Sequence, residues 1–243
     1  MWLQMNRKDN LHEVLNIKNV TKDSADLYIY GNIVSSWWGA WDNEDQYPSK
    51  IKTFLDGVKD KKLNIYINSG GGSLFAGMAI YNMIKRHSQE TTTYIDGIAG
   101  SIASVIALAS DKVIMPSNAT FFIHKPLVSY VSGNADALRK CAEQLDVLQN
   151  SLMQVYSENL APGASYEEVE ALVNKESYLN AKDTARYFNI EIADSKQDIK
   201  YVASMFSNVE DLPDFIKEKL ENTMESKKAQ AKLNLLKLQG EQR

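Results

Sequence analysis

An α/β fold is predicted for this 243-residue chain by three observations. From Leu63 to Ile95 a strand, a glycine-rich segment, a helix and a second strand follow one another, the order of a βαβ unit. A β-branched, alternating run then passes through Gly97, Gly100 and Ser101 into a buried helix of small apolar residues. Hydrophobic residues make up 44% and charged residues 24% of the chain, enough for one sizeable core with appendages.

In chain order, residues 1 to 24 are polar with scattered aliphatics and carry little signal. Leu27 to Gly31 reads as a strand closed by glycine. Trp37, Trp38 and Trp41 then cluster tightly; they suit either the core or an aromatic patch for a partner, with packing the commoner outcome. Ile51, Phe54, Leu55 and Val58 give helical spacing from Ser49 to Val58. Leu63 to Asn68 is a strand, Ser69-Gly70-Gly71-Gly72-Ser73 a turn, and Ala76 to Ile84 a helix with apolar Ala76, Met78, Ala79, Ile80, Met83 and Ile84. The turn matches neither G-x-G-x-x-G nor a P-loop with its Lys-Ser/Thr, which argues against nucleotide binding. Its glycines do let backbone approach a substrate carbonyl or an extended peptide closely.

Thr91 to Asp96 alternates as a strand, and Ile102 to Ala109 is spaced as a buried helix. Ser101 between them has two readings. Glycine allows a sharp turn and a helix start offers N–H groups, as around a nucleophile; or the hydroxyl simply caps the helix. Lys112 to Pro116 and Ala119 to Pro126 are strands, His124 ending the second. Asn134 to Leu160 is a long amphipathic helix, Ser165-Tyr166-Glu167-Glu168 opens another with an acidic first turn, and Glu176 to Asn180 leads into a short helix from Ala181. Asn189 to Ala193 is a last short strand. Pro213 to Gln239, rich in Lys, Glu and Gln with periodic Leu and Ile, is an exposed helix.

A net charge of -4 gives no electrostatic reason to expect nucleic acid or an anionic membrane. Cys141 is the one cysteine, so a thiolate metal cluster or an internal disulfide is excluded and a reducing cytoplasm fits. The N-terminal residues contain Arg7, Lys8 and Asp9 without an apolar stretch behind them, so no signal peptide is expected. The longest apolar run, Ile98 to Ser110, is far short of the roughly 18 to 20 residues that span a bilayer. Of the histidines, His12 sits in the uninformative start and His87 at a polar helix end. His124, at an apolar strand end, is either a core histidine or, paired with Ser101, a general base.

Four ordered motifs carry a family resemblance: Ile67-Asn68-Ser69-Gly70-Gly71-Gly72, Ala76-Gly77-Met78-Ala79-Ile80-Tyr81, Gly97 to Ala103, and Ile123-His124-Lys125-Pro126. Together they resemble the Clp protease proteolytic subunit over roughly Leu27 to Asp194. The wording from Ala76 to Ile84, followed by Tyr94-Ile95-Asp96-Gly97, is most similar to the head maturation proteases of tailed phages and prophages. The resemblance implies the ClpP/crotonase-like spiral of ββα units with a projecting handle helix at Asn134 to Leu160. It divides the chain into an N-terminal segment (1-25), a protease domain (26-195) and a helical extension (196-243).

It also implies a serine endopeptidase in which Ser101 is the nucleophile and His124 the base. The N–H groups of Gly72 and Ile102 form the oxyanion hole, and Gly70 and Gly71 flank the substrate strand. The third triad position falls on Glu176 in Glu176-Ser177-Tyr178-Leu179-Asn180-Ala181, where the family carries aspartate; Asp183 and Asn174 are the other candidates. Gly70 stands where the family has proline. No metal or organic cofactor is implied.

The implied partners are a polypeptide substrate, capsid and scaffold precursors for a maturation enzyme, and further copies of the chain in a heptameric ring or stacked rings. Nucleic acid and membrane are not expected partners. The implied location is the cytoplasm, or the procapsid for a phage-encoded enzyme. The usual axial-loop sequence is not recognisable, which leaves docking to an unfoldase ATPase open. A ClpP paralogue working with such an ATPase, a crotonase-type acyl-CoA enzyme and a non-catalytic assembly component of the same fold are the competing readings. The tail beyond Ser195 is either scaffold-like and self-processed or an ordinary solvated helix.

Overall fold

The computed structural model describes residues 20–36 and 45–193. The tryptophan cluster, His12, most of the N-terminal segment and the C-terminal extension lie outside the described residues. Strands β1 (Ser24–Ile33), β2 (Lys62–Gly72), β3 (Thr91–Gly100), β4 (Lys112–Met115) and β7 (Glu191–Ile192) run in the spatial order β1-β2-β3-β4-β7. Every pairing along this path is parallel. Helices α1 (Pro48–Asp56), α2 (Leu74–Lys85) and α3 (Ile102–Ala107) connect them. The chain is therefore a mixed α/β fold on a parallel sheet.

The inward faces of the first strands alternate as a half-covered sheet requires. Ala25, Leu27 and Ile29 of β1, Leu63, Ile65 and Ile67 of β2, and Ile95 of β3 are buried with Ile51, Ile80 and Ile84 from the helices. The opposite face carries Tyr28, Tyr66 and Tyr94, which sit in register on three strands. Their rings stack at 4.8 and 5.1 Å. All six residues of α3 are buried, which explains its small apolar composition. It has no solvent face.

Two register changes shape the C-terminal edge of this sheet. Between β1 and β2 the pairing shifts from Tyr30↔Asn68 to Asn32↔Gly71, and the buried Ser69 bridges the irregularity. Its Oγ donates to the Gly31 carbonyl at 2.6 Å and accepts from the Gly71 N–H at 3.1 Å. Between β2 and β3 the pairing shifts from Ile67↔Ile95 to Ser69↔Ala99. The sequence reads Ser69 to Ser73 as a turn and ends the third strand at Asp96. The structure instead keeps both segments in the sheet, to Gly72 and Gly100. Glycine gives no apolar alternation, so the continuation leaves no mark in the pattern.

Beyond Asp96, β3 changes neighbour. Thr92 to Tyr94 pair with β4, and Ile98 to Gly100 pair with β5 (Thr120–Ile123). β5 then pairs antiparallel with β6 (Ser177–Asn180), a strand the sequence reading does not anticipate because four residues with one buried side chain give too little period. Helix α4 (Ala135–Glu158) starts from Asn134, whose Oδ1 accepts from the Ala137 N–H. Its C-terminal end is buried through Leu152, Met153, Val155 and Tyr156, whereas Leu138 and Val147, nearer its start, are exposed. The preceding segment likewise exposes Leu127, Val128, Tyr130 and Val131. Helix α5 (Tyr166–Asn174) opens with a complete Ser165/Glu168 capping box, and α6 (Ala181–Tyr187) follows β6 from an Asn180 cap.

Candidate active site

Ser101 joins β3 to α3 with φ 53° and ψ −128°. A non-glycine residue in that region costs about 1 to 3 kcal/mol and persists only where its surroundings hold it. Those surroundings are visible: the Ser101 N–H donates to the Phe122 carbonyl at 2.8 Å, and its own carbonyl accepts the Ser104 N–H at 3.0 Å. The capping and nucleophile readings make different demands on the hydroxyl. A cap would accept from an N–H of the first turn, and Ser101 makes no such bond. Its Oγ lies instead 2.7 Å from His124 Nε2.

His124 reaches that point because of strand alternation. Phe121 and Ile123 are buried in the core, so Phe122 and His124 share the other face of β5. The pairing Gly100↔Phe122 fixes the register, and two residues later the imidazole stands over Ser101. The imidazole stacks on the Phe122 ring at 5.0 Å and 10°, and Phe122 stacks in turn on Tyr178 of β6 at 4.1 Å and 19°. Sequence reasoning missed both aromatic residues as parts of this site. The signal available was Phe122 at two positions before His124, a strand spacing that puts both on one face.

Glu176 is an exposed residue immediately before β6. The β5–β6 register runs Thr120↔Asn180 to Ile123↔Ser177, so Glu176 and His124 are the residues next to its last pair. Among the described residues no hydrogen bond joins the two. The two other carboxylate or amide candidates are engaged elsewhere. Asp183 accepts from Asn180 Nδ2 at 2.8 Å within the α6 cap, and Asn174 Oδ1 accepts from Gln149 Nε2 at 3.4 Å. Like Ser101, Glu176 has φ 53°. His87 sits apart, its Nε2 2.7 Å from the Lys61 carbonyl, and ties the end of α2 to the start of β2.

The glycines bring the end of β2 against the first turn of α3. A Cβ on Gly71 would lie 2.7 Å from Ser101 Cβ and 3.2 Å from the Ile102 nitrogen, and one on Gly72 only 2.1 Å from the Ile33 carbonyl oxygen. Both have positive φ, 102° and 145°, so glycine is required twice over. Gly70 has open space where its Cβ would stand. A Cβ on Gly77 of α2 would meet Ile102 Cγ1 at 2.1 Å, so this glycine lets α2 and α3 touch and seats Ile102 behind Ser101. The arrangement provides a hydroxyl beside an imidazole, backbone in close approach, and a sheet edge next to both. That is the equipment of acyl transfer.

The profile of the Clp protease family matches residues 49–192. The chain is similar to the ATP-dependent Clp protease proteolytic subunit of Streptococcus pneumoniae strain Hungary19A-6, 32% identical over 138 residues, which cover 55% of this chain and 69% of that protein. The same figures hold for the subunits of strains CGSP14 and 70585. With its parallel sheet, its serine–histidine pair and these matches, the chain belongs to the Clp protease family.

Proposed function

We propose that this chain is a serine endopeptidase, and the observation that carries the reading is the 2.7 Å approach of Ser101 Oγ to His124 Nε2 at a strained strand-to-helix junction. The hydroxyl donates to the imidazole, and attack on a peptide carbonyl transfers its proton to Nε2. The acyl group becomes esterified to Oγ, and His124 returns the proton to the leaving amine. Water, deprotonated by the same imidazole, then releases the acid. The N–H groups of Gly72 and Ile102 stabilise the tetrahedral oxyanion. The substrate lies extended beside the end of β2 at Gly70 and Gly71, in β-type hydrogen bonding. Glu176, one register step beyond Ser177, orients His124 when substrate closes the site. That the pair is not bonded here fits a site whose hydrogen bonds tighten only in the complex.

The finer assignment rests on sequence wording. The run Ala76 to Ile84 with Tyr94 to Gly97 supports a head maturation enzyme of a phage or prophage, acting on capsid and scaffold precursors. The exposed Leu127, Tyr130, Leu138 and Val147 support packing of copies through α4 as a handle, in a ring or stacked rings of the ClpP/crotonase spiral fold. Among the described residues no helix is long and apolar enough to cross a membrane.

Intact-mass measurement with a fluorophosphonate tests the chemistry. One adduct on Ser101, absent in Ser101→Ala, is the expected result. No adduct on a folded protein refutes the enzyme reading in favour of an assembly component. Cleavage of a capsid–scaffold precursor without nucleotide supports the maturation assignment, and a strict need for an unfoldase ATPase replaces it with the paralogue reading.

A further inference from the structure

Two buried hydroxyls behind the nucleophile have no part in the scheme above. Ser104, fully buried in α3, donates its Oγ–H to the Ser101 carbonyl at 2.5 Å. Its oxygen lies 2.8 Å from the hydroxyl of Tyr156, a residue of α4 that is 1% exposed. Serine has one hydroxyl proton, and Ser101 takes it. Tyr156 must therefore donate to Ser104, and the chain runs Tyr156 O–H to Ser104 O–H to Ser101 C=O. Burial holds the Tyr156 phenol well above its ordinary value, the Ser104 contact opposing this in part, so it keeps its proton.

A helical serine often bonds back to the carbonyl three or four residues earlier. What is unusual here is the second hydroxyl, brought from another helix into a segment that is otherwise wholly apolar. The target of the chain is informative. The Ser101 carbonyl and the Ile102 N–H belong to one planar trans peptide unit and point in opposite directions. Holding the oxygen into the helix from behind aims the N–H outward past Ser101. Donation to the oxygen also polarises the unit and makes that N–H a stronger donor.

We infer that Ser104 and Tyr156 are positioning residues that fix the Ser101–Ile102 peptide plane, and so the Ile102 N–H, for an oxyanion formed at Ser101. This rests on the endopeptidase reading and adds to it a control of the hole from α4. Neither side chain touches substrate; both act through one peptide group.

The test is the labelling of Ser101 by a fluorophosphonate, whose phosphoryl oxygen occupies an oxyanion hole, in the full chain and in Tyr156→Phe, Ser104→Ala and the double variant. Removing a whole oxyanion donor costs a hundredfold or more, and loosening one costs less, so kinact should fall by roughly three- to tenfold in each single variant with KI unchanged. Because the hydroxyls act in series, the double variant should be no slower than Ser104→Ala. Tyr156→Phe keeps the ring that packs on Phe188 at 5.5 Å, so its loss reports the hydroxyl alone. Slow labelling that still reaches completion supports the relay. Wild-type rates in both single variants, a change confined to KI, losses that multiply in the double variant, or incomplete labelling at the wild-type rate overturn it while the protease reading stands. Failure of the wild-type protein to label overturns both.

Discussion

Ser101 and Glu176 share a backbone conformation, φ 53°, that no other non-glycine among the described residues adopts. One follows β3 and the other precedes β6; Ser101 is hydrogen-bonded to His124, and Glu176 adjoins Ser177, the register partner of Ile123. At Glu176 the conformation is a helix C-terminal left-handed position, where glycine is the usual occupant. A bulky residue there costs about 1 to 2 kcal/mol, and glycine recovers that less about 0.5 to 1 kcal/mol of extra chain entropy. Glu176→Gly should therefore leave stability unchanged or raise it by up to about 1.5 kcal/mol. If the carboxylate orients His124, the same variant should label at Ser101 at least about tenfold more slowly. Thermal unfolding and labelling rates on one preparation check both; an unchanged rate returns Glu176 to a structural role.

The stack of Tyr178, Phe122 and His124 gives a second expectation. A stacked aromatic pair is worth about 0.5 to 1.5 kcal/mol beyond its buried area, which corresponds to at most about a tenfold effect on how well the imidazole is held. Phe122→Leu should slow Ser101 labelling by up to about tenfold, and Phe122→Tyr should restore most of it. His124→Ala provides the floor. Equal rates for the leucine and tyrosine variants would leave the ring a packing element only.

Glycine substitutions should separate by position. In an exposed helix Gly→Ala gains up to about 1 kcal/mol. At Gly77 the new methyl meets Ile102 Cγ1 at 2.1 Å, and overpacking of this kind costs about 1 to 3 kcal/mol. Gly77→Ala should destabilise and slow labelling together, because Ile102 backs the nucleophile. Gly70→Ala meets open space and should unfold within about 0.5 kcal/mol of wild type. Urea unfolding of both variants decides the comparison.

Asp96, on the strand leading to Ser101, has its carboxyl held above the ordinary value, chiefly by burial, with the 2.6 Å hydrogen bond from Tyr30 opposing. The folded state then binds this proton more tightly than the unfolded chain. Stability contributed by the protonated form falls as pH rises from the ordinary carboxylate value through the raised one, and is gone above it. Asp96 as a residue still keeps exposed surface, so solvent screens the effect and its size is small. Asp96→Asn should flatten this limb of a melting-temperature profile, which begins at the ordinary carboxylate value and extends upward from it. Parallel profiles for the two proteins would contradict the assignment.

The sequence was readable wherever side chains alternate or recur at helical spacing. The βαβ unit, α1, α2 and the start of α5 could be drawn from Leu, Ile and Val positions and from Ser165 with the acidic first turn behind it. It was opaque where backbone alone carries the structure. The glycines from Gly70 to Gly72 read as a turn and are strand, and β6 was hidden by its brevity. Ser101 and His124 were legible as a pair through the family motifs that carry them, since taken singly a serine at a helix start reads as a cap and a histidine at an apolar strand end as core. Phe122, Tyr178, Ser104 and Tyr156 were not, since each is an ordinary core or face residue until a register or a helix crossing brings it to the site.

The switch of β3 from β4 to β5 partway along its edge has a consequence for fidelity. A short parallel ladder, Ile98↔Thr120 to Gly100↔Phe122 and closed by the bond from the Ser101 N–H to the Phe122 carbonyl, sets where the imidazole stands. Slippage of β5 by one residue would turn every side chain over and send His124 into the core while Ile123 faced the serine. Mispaired molecules are thus silent rather than indiscriminate, and hydrolysis becomes a built-in proof of correct pairing.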